Sequence, residues 1–431
     1  MDEVTYFPQL GKLQFAILLL IWLLSGMFGG PVAYLVVPLF VFFLVNKGMY
    51  LPVFLGFIFI LILASSRVDS LAFAENLRPI YLVLLFGIIL LSSFLRPLDN
   101  MWKAFVPFFL VAFIWIFVSN IPATSFLKTV SYVLMLVVIP TYMNRIYDNY
   151  SDEALKYLIY FGIFILFIGL LFWILRSDFV FLSGRYRGLF GNPNGMGIFS
   201  FLFFVLFVVI FTHRPDLFTK RTKIIFCAVI FVSLILSGSR TSLAATAIFI
   251  FFGYFYRISK PIGVILLILL ILSYQFIVLY ISDIIVALNL QSYARLESLQ
   301  DLSGRVVSFQ FAWNYIKENI WIGGGMGFSE ELFVANAQLL SSLGHQGGTH
   351  NTYLSIWLDT GLVGLVLFLS AWLFNFWKAS RYSYLAYPIL LAIIFSTFFE
   401  SWLSASLNAF TIVLIIILSL LTNSNFTGDS Q

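Results

Sequence analysis

The sequence predicts an all-α integral membrane protein: a polytopic bundle of about 12–14 transmembrane helices, with one large outer loop that contains short helices. Of its 431 residues, 61% are hydrophobic and only 10% are charged, and phenylalanine alone contributes 51. A soluble domain does not have this composition. Apolar runs of roughly 15 to 25 residues recur along the chain, and each can cross a hydrocarbon layer of about 30 Å.

The apolar runs set the expected order of the helices. The spans are predicted at residues 13–29, 31–45, 50–66, 79–95, 104–118, 125–143, 157–175, 196–212, 223–237, 241–256, 262–282, 350–376, 384–399 and 404–421. We expect three parts: N-terminal transmembrane helices (1–180), a core with the outer loop 283–349 (181–376), and C-terminal helices with a tail (377–431). The first run lacks a small-residue cleavage site, so we expect it to stay as a helix.

Lysine and arginine in four loops predict the orientation. The loops are 144–156, 213–223, 257–260 and 378–381, and positive loops face the cytoplasm. An even number of spans then puts both termini in the cytoplasm and the loops 176–195, 238–240 and 283–349 outside. The basic residues expected outside are nearly all arginine: Arg67, Arg78, Arg176, Arg185, Arg187, Arg240, Arg295 and Arg305. The flat guanidinium suits phosphate and pyrophosphate, although incidental surface charge is the alternative.

A glycine-rich loop, 184–195, holds two of these arginines just before a predicted helix. Asn192 or Asn194 can cap that helix, and Pro193 fits its first turn. The free amides and the helix dipole would then face an anion held by Arg185 or Arg187. The alternative is a turn that binds no ligand.

Two further arginines stand at turns. Arg240 lies in the tight turn 237–242 between two spans, where it faces an aqueous cavity or an anion, or else extends to lipid headgroups. Arg305 follows Gly304 and opens an aromatic, amphipathic stretch that is typical of a helix at the membrane interface. A plain interfacial helix is the alternative reading for that stretch.

His350 starts the apolar segment after the long loop, in Gly347-Gly348-Thr349-His350-Asn351. A helix start favours the neutral imidazole, the form that can accept a proton. A helix cap or a headgroup contact is the alternative for a lone histidine. Asp359 lies on the opposite helical face, so we expect a buried structural hydrogen bond rather than a contact to His350. Two roles stay open for Glu400: a contact with the acceptor substrate, or a polar residue at a helix end.

The remaining polar features of the long loop give weaker signals. His345 and the glycine run 323–327 could belong to a mobile flap. A flexible loop is favoured over a phosphate-binding role because the run follows no strand. The acids of the outer loops show no spacing for a divalent cation, so no metal site and no cofactor are expected.

These motifs resemble those of the bacterial O-antigen polymerase and O-antigen ligase superfamily, over roughly residues 180–365. The resemblance rests on His350-Asn351, followed nine residues later by Gly361, and on Arg240-Thr241 and Gly304-Arg305 in that order. The segment from Arg185 to Asn194 is similar to a loop of polymerase-like members. It departs from their arginine-to-glycine spacing, so the choice between Arg185 and Arg187 stays open.

The resemblance implies a GT-C-like glycosyltransferase of the bacterial inner membrane that works at the outer face without metal and with inversion. The donor would be a glycan on undecaprenyl pyrophosphate, and the acceptor a growing glycan or lipid A core. His350 would be the catalytic base, helped by Arg240 and Arg305, with Arg185, Arg187, Asn192 and Asn194 as the pyrophosphate-binding set. Membrane lipid and a chain-length regulator are expected partners, and nucleic acid is not.

Polymerase and ligase differ only in the acceptor, and the glycine and Pro-Asn loop favours the polymerase. A flippase or ion-coupled carrier is the rival from another class. Carriers place ionisable groups near the midplane and show repeated halves, whereas here the acids cluster at loops and no repeat is visible. A structural scaffold would not need a histidine beside a set of arginines.

Overall fold

The computed structural model describes residues 11–66, 68–93, 98–175, 178–258, 300–345 and 347–428. The α-helices are α1 Lys12–Gly29, α2 Ala33–Asn46, α3 Tyr50–Ser65, α4 Phe73–Ser93, α5 Val106–Ile116, α6 Pro122–Tyr150, α7 Asp152–Ile174, α8 Pro193–His213, α9 Lys220–Ser237, α10 Arg240–Ile258, α11 Gln300–Glu318, α12 Phe328–Ala335, α13 Ala337–Ser342, α14 Thr352–Ser380, α15 Ala386–Phe399, α16 Ala409–Thr422 and α17 Ser424–Thr427. Short 3₁₀ turns lie at Gly30–Val32, Asp69–Leu71, Met101–Phe105, Asp178–Val180 and Pro215–Leu217, and a two-stranded ribbon joins β1 Phe181–Leu182 to β2 Arg185–Tyr186.

The predicted all-α membrane architecture is confirmed. Each predicted span within the described residues overlaps an α-helix, although the helix predicted from residue 404 begins only at Ala409. The span 262–282 lies outside the described residues. Within the part of the chain that the structure describes, 6 helical segments are long and apolar enough to cross a membrane: Leu13–Asn46, Asp69–Leu91, Pro122–Tyr150, Asp152–Ile174, Pro193–His213 and Thr352–Ser380. Four shorter apolar helices accompany them. The short helices expected in the long loop are present as α11, α12 and α13.

The chain forms two compact units, each built around one buried helix. The first unit spans Met1–Ala104, Val130–Thr246 and Ala405–Gln431. Its central helix is α8, which packs against α9 and α16. Gly197 lets α8 approach the turn at Ser239, where a Cβ would lie 2.4 Å from the serine Cβ. The division expected at residues 180 and 376 follows sequence motifs and stays a prediction.

The second unit spans Phe105–Thr129 and Ala247–Ser404, and α14 is its central helix. This helix packs against α5, α11, α12 and α15. Further along α14, Phe105 packs edge-on against Phe368 and Trp372, and the ring of Phe108 lies tilted against Phe368. The loop helices have a small core of their own: Ala312, Ile316, Leu332, Phe333, Leu340 and Leu358. Burial of this core ties α11, α12 and α13 to the first turns of α14.

The central helix of the second unit is broken at Gly361, whose φ of 70° and ψ of −179° are not helical. A break exposes peptide groups that must find new partners when they are buried. Here the run Gly323–Gly327, which we call the glycine brace, supplies them. The amides of Gly324 and Gly325 donate to the carbonyls of Leu358 and Asp359, at 2.9 and 2.8 Å.

Glycine is required on both sides of this contact. A Cβ at Gly323 would lie 2.3 Å from the backbone of Asp359, and one at Gly361 would lie 2.1 Å from the carbonyl oxygen of Trp321. The sequence favours a flexible loop for residues 323–327, and the structure instead packs them as backbone against backbone. The glycines serve close approach, which sequence alone does not distinguish from flexibility.

The Gly361 break yields a stability prediction. Gly361→Ala should lower the free energy of unfolding by about 2–4 kcal/mol, because it combines a left-handed φ with a backbone clash. Thermal unfolding of the purified protein in micelles measures the change. Gly253→Ala is the control, since a Cβ there meets nothing within 4 Å. Equal stability of the two variants would contradict the proposed role of the brace.

Candidate active site

His350 lies in the turn that leads into α14. Asn351 caps the helix, because its side-chain oxygen accepts from the amide of Leu354 at 2.9 Å. The same side chain donates to the carbonyl of Phe398 at 3.0 Å. The predicted helix start at His350 is therefore present, and the cap also fixes this turn to the end of α15.

The backbone of His350 has a φ of 47°, in the left-handed region that non-glycine residues seldom adopt. Such a conformation costs about 1–3 kcal/mol and persists where its surroundings enforce it. The hydroxyl of Ser308 donates to the carbonyl of Thr349 at 3.0 Å, and the hydroxyl of Thr349 donates to the carbonyl of Asn351 at 3.2 Å. Contacts on both sides of His350 thus hold the strained residue in place.

A buried carboxylate, Glu400, joins the histidine to an arginine. One carboxylate oxygen accepts from Nη2 of Arg305 at 3.2 Å, and the other lies 3.8 Å from Nδ1 of His350. Thr352 fixes the backbone of this residue, since its hydroxyl donates to the Glu400 carbonyl at 2.9 Å. A buried carboxylate is costly without such partners. The three side chains form what we call the histidine cluster. It combines a proton acceptor, His350, with the anion of Glu400 and the cation of Arg305.

Sequence reasoning did not assign Glu400 to this cluster. It lies 95 residues from Arg305 along the chain, and the available signal was an acid at the end of an apolar span. Such an acid needs a buried partner, which a single sequence does not name.

A second imidazole packs against the turn that holds His350. His345 is buried, and its Nε2 lies 3.0 Å from the carbonyl oxygen of Gly348. Its ring packs edge-on against the ring of His350, with centroids 5.6 Å apart. His345 is thus part of the packed turn rather than of an open flap.

Asp359 has the structural role expected for it. It is buried, and its two carboxylate oxygens accept from the amides of Gly327 and Ser329, at 3.0 and 2.7 Å. These amides begin α12, where a negative charge is favourable. Asp359 therefore caps a loop helix and joins the glycine brace to α14.

Arg185 and Arg187, in the first unit, have different surroundings. Ser183 and Gly184, both at positive φ, form the turn of the ribbon that presents Arg185. Its Nη2 donates to Oδ1 of Asn194 at 3.1 Å and to the carbonyl of Ser237 at 3.0 Å. That carbonyl ends α9, where a cation is favourable. Arg185 thus ties the glycine-rich loop to the turn before Arg240.

Arg187 instead stays within its own loop. Its Nε donates to the carbonyl of Phe179 at 3.0 Å, and the guanidinium lies 5.9 Å from the ring centroid of Phe179. Burial lowers the pKa of Arg187 from its ordinary value. The geometry therefore favours Arg185 over Arg187 as the arginine that contacts the turn 237–242.

The predicted cap of α8 is confirmed for Asn192, whose side chain accepts from the amide of Gly195 at 2.7 Å, with Pro193 in the first turn. Asn194 instead orients Arg185. Arg240 is exposed at the first position of α10. A cation at a helix N-terminus opposes the dipole, so the charge of Arg240 does not itself stabilise the start of α10. Binding of pyrophosphate by these residues stays a prediction.

The fold and the polar clusters define a polytopic α-helical membrane protein with a histidine, a carboxylate and an arginine joined in one compact unit. Residues 225–369 match the family model described as O-antigen ligase. The resemblance to the O-antigen ligase and polymerase superfamily is thereby confirmed. The match covers about a third of the chain and includes Arg240, Arg305 and His350, whereas Arg185 and Glu400 lie outside it. No curated protein matches the chain.

The two arginines of the ribbon loop can be separated by binding. Arg185→Ala should weaken the affinity of the purified protein for inorganic pyrophosphate about 10- to 100-fold, because a charged hydrogen bond contributes about 1.5–3 kcal/mol. Arg187→Ala is the matched control and should bind with nearly the parent affinity. Calorimetric titration measures both. A larger loss in Arg187→Ala would assign the anion to the other arginine.

Proposed function

We propose that the protein is a membrane glycosyltransferase that polymerises oligosaccharide repeat units linked to undecaprenyl pyrophosphate, at the outer face of the bacterial inner membrane. The products would be O-antigen, capsule or exopolysaccharide. The observation that supports this proposal is the histidine cluster within a chain that carries an O-antigen ligase segment. A glycan-transferring class follows from the family, and the donor, the orientation and the acceptor belong to the proposal.

The proposed reaction uses His350 as the base. Its imidazole takes the proton of the acceptor hydroxyl while the acceptor oxygen bonds to the anomeric carbon of the donor sugar. The bond from that carbon to the pyrophosphate oxygen breaks, and its electron pair leaves with the pyrophosphate. Attack opposite the leaving group inverts the anomeric centre. Glu400 stabilises the imidazolium that forms, in the way an acid supports a catalytic histidine.

Arg305 is proposed to stabilise the charge that develops on the leaving pyrophosphate. One guanidinium nitrogen is bound to Glu400, and the planar group has further N–H donors for phosphate oxygens. Preorganised donors of this kind contribute strongly to catalysis, because they need no rearrangement as charge develops. Arg240 keeps its predicted role as a catalytic arginine that stabilises the leaving group. Arg185 or Arg187, Asn192 and Asn194 keep theirs as pyrophosphate-binding residues.

The second candidate is an O-antigen ligase, which transfers the completed lipid-linked glycan to lipid A core or to protein. The family description of residues 225–369 favours it. The loop from Arg185 to Asn194 favours the polymerase, so we retain the polymerase as the main proposal. A flippase is a weaker proposal, because a paired base and carboxylate beside an arginine are suited to group transfer.

Replacement of His350 tests the proposal in cells. A strain that lacks the protein is complemented with the parent chain or with His350→Asn, which suits the left-handed backbone while it removes the imidazole base. His350→Asn should lower transfer about 10²- to 10⁴-fold, the usual contribution of general base catalysis. The surface glycan ladder on a gel is the measurement. A normal ladder with His350→Asn would contradict the role of the base.

The same gel distinguishes the two acceptors. If the protein is a polymerase, the defective strain carries single repeats on lipid A core and lacks long ladders. If it is a ligase, full-length polymer accumulates on the lipid carrier. Repeat units that stay at the cytoplasmic face would support a flippase instead.

Glu400→Gln tests the carboxylate. The amide keeps the size of the side chain but cannot stabilise the imidazolium, so the transfer rate should fall at least about tenfold, or ~1.4 kcal/mol. In-vitro transfer from the lipid-linked donor by purified protein measures the rate. Glu330→Gln is the control, because Glu330 is an exposed acid paired with Lys128. Equal rates for the two variants would show that the carboxylate has no part in the chemistry.

A further inference from the structure

An apolar surface surrounds the point where α14 resumes after its break. It consists of Ile320, Trp321 and Ile322, which we call the Trp321 patch and which are 40%, 64% and 49% exposed. The exposed residues Phe117 and Val118 precede Ser119, whose hydroxyl donates to the nearby carbonyl of Gly324. Scattered apolar side chains on a surface need no explanation, but contiguous large ones usually have a partner.

The patch lies at one end of a helical segment with the length of a membrane span. From Leu362 to Ser380 the helix has about 19 residues, or roughly 28 Å, close to the hydrocarbon thickness of about 30 Å. The far end carries Lys378 and Arg381, whose guanidinium lies 3.8 Å from the ring centroid of Trp377. Tryptophan and cations mark the edge of the bilayer.

The near end is joined directly to the patch. The carbonyl of Ile320 accepts from the amide of Leu362 at 2.9 Å, and it also accepts from Nε1 of Trp357 at 2.9 Å. Exposed apolar side chains then continue along the helix at Val363, Val366, Leu373 and Phe374. The Trp321 patch is thus continuous with the face that this helix offers to lipid.

The backbone polar groups around this segment also have partners within the protein. Non-helical backbone at membrane depth is tolerated when its polar groups have partners in the protein. Beyond Ile320, the amides of Gly324 and Gly325 donate to α14, and the carbonyl of Gly324 accepts from the hydroxyl of Ser119. The turn can therefore enter the interfacial layer without leaving these groups unbonded.

We propose that the Trp321 patch inserts into the interfacial layer of the lipid bilayer and anchors the long loop there. The loop would then not be wholly aqueous: residues 320–322 would contact lipid, and α11, which carries Arg305, would be held at a fixed height above it. The bilayer is the expected occupant because the patch extends a lipid-facing surface. This inference concerns lipid contact and holds whether the enzyme is a polymerase, a ligase or neither.

Spin labels measure the depth of the patch. In a Cys227→Ser chain reconstituted in lipid nanodiscs, single labels are placed through Trp321→Cys, Leu373→Cys and Leu339→Cys. Leu373 lies within the span, and Leu339 is an exposed residue of α13 in the same loop. Power saturation then compares collision of each label with oxygen, which enters lipid, and with a water-soluble nickel chelate.

The label at 321 should collide with nickel several-fold less than the label at 339, and with oxygen more, as the label at 373 does. Nickel accessibility equal to that at 339 would overturn the proposal. Low accessibility to both reagents, with an immobilised spectrum, would also overturn it in favour of a protein partner such as a second copy. Ile322→Cys gives a second reading if Trp321→Cys does not fold.

Discussion

Peptide groups in a hydrocarbon-rich protein must be bonded to other protein groups, and this constraint is most severe where α14 breaks at Gly361. A helix interrupted within a buried stretch leaves carbonyls that need donors from the protein. The glycine brace provides their donors, and its own approach is so close that side chains are excluded. Asp359 adds a cap for α12 from the same turn of helix. The positions of the loop helices, and of Arg305 with them, follow from this one junction.

The elements that sequence reasoning predicted are those with local signals. Long apolar runs located the helices because a single segment satisfies its own backbone in lipid. The cap at Asn192 and the helix start at His350 were likewise visible, since a cap, a proline and a preceding glycine turn lie within a few residues. The opposite-face argument for Asp359 was correct because it needed only the helical repeat.

The contacts that sequence reasoning missed join distant parts of the chain. Glu400 meets Arg305 and His350 only after α15 has packed against α14, and no local pattern identifies that pairing. The glycine brace was misread because glycine permits both flexibility and close packing. Arg185 and Arg187 could not be separated by spacing, since the difference between them is the partner of each guanidinium: Asn194 and the carbonyl of Ser237 for Arg185, and the carbonyl of Phe179 for Arg187.

The long separation within the histidine cluster has a consequence for biogenesis. The turn of the ribbon at Ser183 and Gly184 is built from near neighbours, whereas the contact of Arg185 with Ser237 also waits for about 50 further residues. Glu400 follows His350 by about 50 residues, a delay of roughly 3–10 s at synthesis rates of about 5–20 residues per second. During that interval the histidine and Arg305 lack their carboxylate. The cluster is completed only when α15 has entered the membrane, so a partly inserted chain does not hold an assembled catalytic centre.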